Sequence, residues 1–512
     1  GSALVSLPAD WKVILDAQYA QSITRYRGIN EVDDGRWQAL VDRGLYNPLR
    51  DTQISAPPPE FYDTALIYNG ARNAFVTLGD YETLDSTIRL THESLHVPTG
   101  EAVFNLGADY RISSLAGFVA EQRFGDGALA RASQEWDGRT IERISFFGEL
   151  QAPLVPREVL PDWLRTIEGD VAMRYVMADT AAESNLAPTV ALKIELAGGL
   201  TLRGSFTTSN RFPTPFMSSA VANGIDVGSG PELVQISDPR RKESYDVEQR
   251  IVFNPDLRSE SAVTQSAGLI FETGEKHRIR ASLDFFDTSN EIVGFGATEL
   301  INLENSFPDQ IDRAPLEPGD PHAVGKVTVI RSSAFNLARR HSQNWQGTLD
   351  YLRDDVFGGT FDLRGRLVYF SKFDRELFKD SPVIDEIRDP SGSAGGLLEY
   401  RATFGGGWSN EVLGLGLDGQ YFHSRRLPQT EWATQGARTL DPFWQFDAYL
   451  QADLGHWLLS ENSRLGLRGQ VRVDNLLNEA YPFYALEPSG AGVQPYGDWR
   501  GRTYSLSITA EF

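Results

Sequence analysis

The chain contains no cysteine. That excludes disulfide scaffolds, thiolate zinc sites, iron–sulfur clusters and cysteine nucleophiles. It suits an oxidising compartment, where stray thiols are a liability. Positive charge is also short: 48 Lys and Arg stand against 70 Asp and Glu, a net charge of −22. Such a chain makes a poor partner for nucleic acid, because phosphate repulsion opposes contact. No apolar stretch approaches the ~18 residues a transmembrane helix needs. No basic-plus-apolar signal segment opens the chain, which starts Gly1-Ser2-Ala3. The expectation is either a cytoplasmic protein or something less than a whole precursor. Helix signals are few; residues 34–41, capped by Asp33 or Asp34, read as a short loop helix. No self-similar period of about 20–50 residues is present, which argues against propellers and solenoids. With 41% hydrophobic and 23% charged residues in 512, wholesale disorder is out. The length allows about three or four soluble domains, or one large barrel.

What the chain does have is alternation. Leu465, Leu467, Gly469, Val471 and Val473 interleave with Gly466, Arg468, Gln470, Arg472 and Asp474. Phe361, Leu363, Gly365, Leu367 and Tyr369 stand against Asp362, Arg364 and Arg366. The last segment sets Tyr504, Leu506, Ile508, Ala510 and Phe512 against Thr503, Ser505, Ser507, Thr509 and Glu511. Similar runs span 104–112, 169–175, 190–196, 200–206, 277–285, 345–351 and 444–454; less regular ones span 9–24, 81–95, 139–150, 259–272, 396–407 and 411–424. The spacing predicts about sixteen strands, each with one apolar and one polar face. Their length fits the roughly 9–11 tilted residues of a spanning barrel strand.

The connections carry more. Short ones (97–100, 198–199, 274–276, 355–359, 406–410) largely alternate with long ones (25–79, 115–138, 209–257, 289–340, 374–394, 425–440, 477–500). Two places break the pattern: 181–187 is short where a long loop is due, and 152–166 is long for a tight turn. Antiparallel neighbours put consecutive connections at opposite ends of a sheet. One end therefore carries tight turns and the other large loops, as in outer-membrane barrels with short periplasmic turns and long extracellular loops. The polar faces bear full charges, among them Lys193, Glu195, Arg278, Arg280, Asp284, Arg364, Arg366, Arg468 and Arg472, too many for a packed core. Trp11, Trp345, Trp444, Tyr504 and Phe512 sit near run ends, as girdle aromatics do.

Two catalytic-looking motifs fail on context. His92-Glu93-Ser94-Leu95-His96 matches the zincin H-E-x-x-H, but its flanks read as a strand entering a turn. Residues four apart on a strand are roughly 13 Å apart and cannot share a zinc ion. Gly414-Leu415-Gly416-Leu417-Asp418-Gly419 fits G-x-G-x-x-G, yet the strand runs on through Gln420, Tyr421 and Phe422 instead of yielding a helix. No metal site, cofactor site or nucleophile elbow is expected. Loop residues such as 57–63 read as ordinary solvated loop.

The C-terminus carries a resemblance. Val473-Asp474-Asn475-Leu476-Leu477-Asn478-Glu479-Ala480-Tyr481, then Gly501-Arg502-Thr503-Tyr504-Ser505-Leu506-Ser507-Ile508 and a terminal Phe512, resembles TonB-dependent outer-membrane receptors. Phe146-Phe147-Gly148-Glu149-Leu150-Gln151-Ala152-Pro153 looks like the family's F-x-E-L-x-x-P strand. Leu200–Phe206 followed by Asn210-Arg211-Phe212-Pro213 looks like its L-x-L-R-x-S strand, with Asn-Arg-Phe-Pro in place of Phe-Arg-Ala-Pro. Asn254-Pro255-Asp256-Leu257-Arg258-Ser259-Glu260 resembles its N-P-x-L-x-x-E strand start. The matches keep family order from about residue 140 onward, and more loosely from residue 9.

The resemblance implies an all-β, antiparallel transmembrane barrel in the outer membrane of a Gram-negative bacterium. It implies a receptor that is not an enzyme. Such a receptor captures a scarce solute (a siderophore or iron complex, cobalamin or a glycan) and imports it with energy from TonB–ExbB–ExbD, acting through a lumen-filling plug. Residues 1–512 read as barrel, about sixteen strands of a family complement of about 22, with no plug or TonB box visible. A monomer with a small-molecule ligand is expected, with Phe512 as the signal to the barrel-assembly machinery. Arg203, Arg211, Arg280, Asp284, Arg364, Arg366, Arg468 and Arg472 are the candidate lumen residues facing plug or ligand. The plainer reading has these arginines keeping the lumen wet, paired with acids such as Asp284 and Asp362. Two alternatives are a plugless passive porin and a soluble secreted β protein or adhesin. With strands missing, the sheet is expected to be open, strongly curved or rearranged, because unpaired edges in lipid are costly.

Overall fold

The computed structural model describes residues 1–31, 42–43, 72–124, 129–136, 138–179, 184–215, 221–222, 233–241, 243–252, 257–293, 300–301, 304–305, 307–333, 336–377, 381–390, 397–429, 432–459, 466–484 and 500–511. The predicted loop helix at 34–41, the loop 57–63 and Phe512 lie outside them. Among the described residues one sheet of 21 strands dominates. Its wall runs in chain order through β1 (Ser2–Ser6), β2 (Lys12–Glu31), β3 (Arg72–Val97), β4 (Gly100–Leu115), β5 (Arg139–Pro153), β6 (Leu164–Ala178), β7 (Ser184–Leu196) and β8 (Leu200–Arg211). It continues through β9 (Glu260–Thr273), β10 (His277–Val293), β11 (Asn336–Val356), β12 (Gly359–Glu376), β13 (Tyr400–Ser409), β14 (Leu413–Phe422), β15 (Phe443–Asp453), β16 (Gly466–Asp474) and β17 (Thr503–Glu511). Each wall strand pairs antiparallel with the next. The strands predicted from alternation are β2 to β17. β1 adds one more, a five-residue edge. Phe118–Phe124, Leu129–Trp136, Val221–Ala222 and Ile384–Asp385 extend the sheet beyond the wall at its loop end.

Alternation sorts the wall into two faces. Leu202, Leu269, Leu283, Gly347, Leu367, Ala402, Tyr421 and Trp444 stand in register across β8 to β15. Leu269, Leu283, Leu367 and Trp444 in that row are exposed, as are Ile88, Phe146, Val171, Val190, Val471 and Leu506 on the same face of other strands. A continuous apolar face of this extent is untenable in water. In hydrocarbon it is the stable arrangement, because a laddered sheet leaves no backbone group of its inner strands without a partner. The reading as a soluble β protein is thereby set aside; the wall is a transmembrane sheet.

Connections alternate in length as the sequence predicts. Turn-end connections are 7–11, 98–99, 154–163, 197–199, 274–276, 357–358, 410–412 and 454–465. Loop-end connections are 32–71, 116–138, 179–183, 212–259, 294–335, 377–399, 423–442 and 475–502. Both breaks in the pattern persist, at 154–163 and 179–183, and 454–465 joins the longer turns. Among the described residues no pairing joins β1 to β17, so the sheet is open.

Among the described residues the main apolar core lies in the loops. Leu233–Asp238, Glu243–Val252, Ile311–Arg313 and Val327–Ser333 form a separate four-stranded sheet from the two connections that flank the β9–β10 hairpin. Glu243–Val252 pairs parallel with Val327–Ser333. Ile236, Val247, Leu300, Ile301, Ile311, Val327, Ile330 and Ala338 pack into its core. We call this body the knob.

Candidate functional site

The polar face of the wall is a lattice of cross-strand ion pairs. Arg203 meets Asp284 at 2.7 Å, Arg364 meets Asp418 at 2.8 Å, and Arg366 meets Asp350 at 2.9 Å. Arg472 bridges Asp474 at 2.6 Å and Asp447 at 3.1 Å. Arg280 pairs with Glu272 at 3.0 Å, and Arg211, at the loop end of β8, with Glu260 at 3.4 Å. Lys193 is shared between Glu195 and Glu168 at 2.5 and 3.3 Å. Arg468 is exposed, and among the described residues no carboxylate pairs with it. Thus seven of the eight predicted residues are engaged within the wall itself. Arg111–Asp85 and Arg174–Asp109 extend the lattice into β3, β4 and β6, where alternation alone did not single them out.

Two of these pairs span three strands over a glycine. Arg203, Gly268 and Asp284 are in register on β8, β9 and β10. A Cβ on Gly268 would lie 1.9 Å from Asp284 Oδ1. Arg364, Gly405 and Asp418 repeat the arrangement on β12, β13 and β14, where a Cβ on Gly405 would lie 2.4 Å from Asp418 Oδ1. The glycine gives the guanidinium and carboxylate room to meet across a strand they would otherwise flank.

A cavity of about 490 Å³ opens on this face across β5 to β10, lined among others by Gln151, Glu168, Asp170, Lys193, Arg203 and Asp284. Both of its cations are already held by carboxylates, and Asp170 Oδ1 is buried without a hydrogen-bond partner.

The knob concentrates charge differently. The Arg313 guanidinium donates to Asp238 Oδ2 at 2.7 Å and to both oxygens of Glu304 at 2.7 Å, and to the Gly325 carbonyl at 2.8 Å. Tyr245 Oη donates to Asp238 Oδ2 at 2.6 Å and accepts from the Val327 N–H. Asp238 is 0% exposed. Its burial opposes ionisation, but the bonds from Arg313, Tyr245 and the Arg240 N–H outweigh that and hold its carboxyl at about 2. Glu304 is likewise lowered, chiefly by Arg313, and Arg313 is raised, chiefly by Glu304. Arg241 clamps in the opposite sense, donating to Asp320 at 2.8 Å and to the Val324 carbonyl at 2.6 Å. Each loop thus buries an arginine against the other loop's carboxylate. Sequence reasoning missed the knob; its partners lie roughly 75–80 residues apart, and no local periodicity marks them.

The two catalytic-looking motifs resolve as wall. His92 Nε2 lies 2.9 Å from the Ala9 carbonyl and Glu93 pairs with Lys12 at 2.8 Å, on a strand bulged between His92 and Leu95. Gly414 and Gly416 leave space for Gln451 and Tyr449, and Gly419 for Phe404.

The comparisons agree with this geometry. The family model "TonB dependent receptor-like, beta-barrel" matches residues 8–476. A comparison with curated protein sequences finds no significant match. Among solved structures, the siderophore receptor PirA of Acinetobacter baumannii superposes at TM-score 0.57 and 14% identity, covering 99% of this chain and 61% of that one. The ferric enterobactin receptor PfeA of Pseudomonas aeruginosa gives 0.57 and 16%, covering 100% and 61%. FpvA of P. aeruginosa, bound to heterologous pyoverdines, gives 0.50 and 11%, covering 100% and 55%. The chain therefore spans about 60% of the length of the first solved receptors it resembles.

Proposed function

We propose a function from one established premise: this chain belongs to the TonB-dependent receptor-like β-barrel family. Barrels of that family are transport receptors of the Gram-negative outer membrane, and this is where the chain resides. Our reading is that it is the barrel of an importer that captures a scarce ferric siderophore-type complex at its loop end and admits it through the lumen. TonB–ExbB–ExbD would supply the energy through a plug. The barrel-assembly machinery would insert the protein, and it would act as a monomer. The observation that carries this reading is the family match along a wall with large loops at one end only. The resemblance of the fold to receptors named for siderophores, ferric enterobactin and pyoverdines supports the ligand class. The charged polar face supports a wet lumen. Of the candidate arginines, Arg468 is the one best placed to meet a plug or an anionic ligand, since the others among them have acids of their own.

The test is uptake of radio-iron siderophores by cells expressing the native gene, with and without a functional TonB. Uptake that vanishes without TonB is expected. Uptake that persists unchanged would support the plugless diffusion pore instead.

A further inference from the structure

Five arginines gather in one sector of the polar face, on β3 to β6. Ile88, Leu106 and Phe146 lie exposed on the apolar face, so Arg89, Gly107 and Phe147 beside them in the chain face the lumen. Arg89, Gly107, Phe147 and Arg174 stand in register across the four strands. Four residues along β5 towards the loop end, Arg143 stands beside Arg111. Four further, Arg139 opens the strand. These three levels are about 13 Å apart along β5. The Phe147 ring lies over Gly107, where a Cβ would meet its Cζ at 2.5 Å, and 5.6 Å from the Arg174 guanidinium. It gives the deepest level an apolar floor, beside which charges attract more strongly than in open water.

Acids do not keep pace with these cations. Arg111 pairs with Asp85, and Arg174 with Asp109. Among the described residues no carboxylate pairs with Arg89, Arg139 or Arg143. The Nε of Arg89 and that of Arg139 are buried without a hydrogen-bond partner. Arg143 is half-buried, with its guanidinium 5.8 Å from the Phe212 ring. Asp16, in register with Thr87, adds a third acid to the sector. Five arginines thus face three aspartates, in a chain whose net charge is −22. Glu149, the next acid down β5, lies below the deepest level and accepts from Asn105.

We propose that this sector is an anion track, which draws a polyanionic chelate from the loop end into the upper lumen. A strongly acidic chain repels such a solute, and a local surplus of positive charge offsets that repulsion. Asp85 and Asp109 weaken each station, so an anion is held and can still leave. A plug carboxylate fixed on the arginines has no use for such weakening. The inference deepens the importer reading and rests on it. Uptake that ignores TonB would sink that reading and leave the measurement below unchanged.

The absence of cysteine makes the test direct. A nitroxide is placed on the full-length protein in detergent through Thr87→Cys, between the two deeper levels. Thr348→Cys, in register with the paired Arg366, is the reference. Electron paramagnetic resonance reads collisions with trisoxalatochromate, a trianion built like an iron tris-chelate, and with a neutral nickel chelate. At low salt the chromate-to-nickel ratio is expected to be severalfold higher at 87 than at 348, and to shrink in high salt. Adding Arg89→Gln, Arg139→Gln and Arg143→Gln together should bring it down to the reference. Arg278→Gln, which removes a cation already paired with Asp354 at 2.6 Å, should leave it unchanged. Equal ratios at 87 and 348 would overturn the proposal, and would mean that plug acids already neutralise the arginines. Low access of both reagents at 87 would overturn it too, because the sector would then be sealed. So would a high ratio that survives the triple substitution. Heat-modifiable migration checks that each variant is folded before it is read.

Discussion

Arg366 on the wall and Arg313 in the knob make the same contact, a guanidinium on a carboxylate, under opposite conditions. Arg366 and Asp350 are each about half exposed, at 49% and 45%. Arg313 is 12% exposed and its partner Asp238 is 0% exposed. Solvent screens the first pair and leaves it worth little. The second is surrounded by protein, so removing either partner strands a buried charge. The wall distributes its polar chemistry over many weak, repeated contacts. The knob stakes its integrity on a few that cannot be replaced by water.

The sharpest way to break this contrast is Arg313→Met. It leaves Asp238 and Glu304 without their shared donor, and the knob is expected to lose about 3–5 kcal/mol. Amide exchange at residues 243–252 and 327–333 should accelerate to match, while the heat-modifiable shift of the barrel stays unchanged. Equal loosening of wall and knob would show that the two do not behave separately.

Acid probes the same site without mutation. Asp238 has a folded value of about 2 against an ordinary 3.8. A depressed carboxyl stabilises the fold above its unfolded value and loses that contribution as pH falls through the folded one. Roughly 2 kcal/mol should therefore drain from the knob between about pH 4 and pH 2. Asp238→Asn should flatten that part of the exchange profile.

On the wall, Gly268→Ala places a Cβ against Asp284 and should cost about 1–2 kcal/mol in urea unfolding of the folded barrel, through the displaced Arg203 pair. Gly365→Ala is the control: nothing lies within 4 Å of a Cβ there, so little change is expected. Smallest of all, Arg366→Gln should shift stability by less than about 1 kcal/mol. A large loss there would mean that the lumen shields its pairs as the knob does.

The same contrast explains what could be read in advance. Strands β2 to β17 were legible because a sheet between lipid and a wet lumen imposes a two-residue period on every strand, and Leu467–Val473 or Leu363–Tyr369 carry it openly. That period also removed the zinc and dinucleotide motifs, since His92 to His96 and Gly414 to Gly419 sit on strands. β1 escaped because Ala3, Leu4 and Val5 run together without alternating. That the candidate arginines pair with acids such as Asp284 and Asp362 was legible, but which acid each one meets was not, since register across strands decides it. The glycine bridges were hidden for the same reason. Nothing local announced the knob: Asp238 and Arg313 are joined through a fold made from two loops, and its cohesion is non-local.

The parallel pairing of Glu243–Val252 with Val327–Ser333 bears on how the protein is made. Between these partners the chain descends β9, turns at 274–276 and returns along β10. Residues Glu248 and Val329, about 80 positions apart, become neighbours only when both legs of that hairpin have reached the loop end. Closing so long a loop is slow compared with zipping adjacent strands. Knob closure is therefore a late step, and the appearance of a protected 243–252 strand marks the moment when the hairpin beneath it is in place.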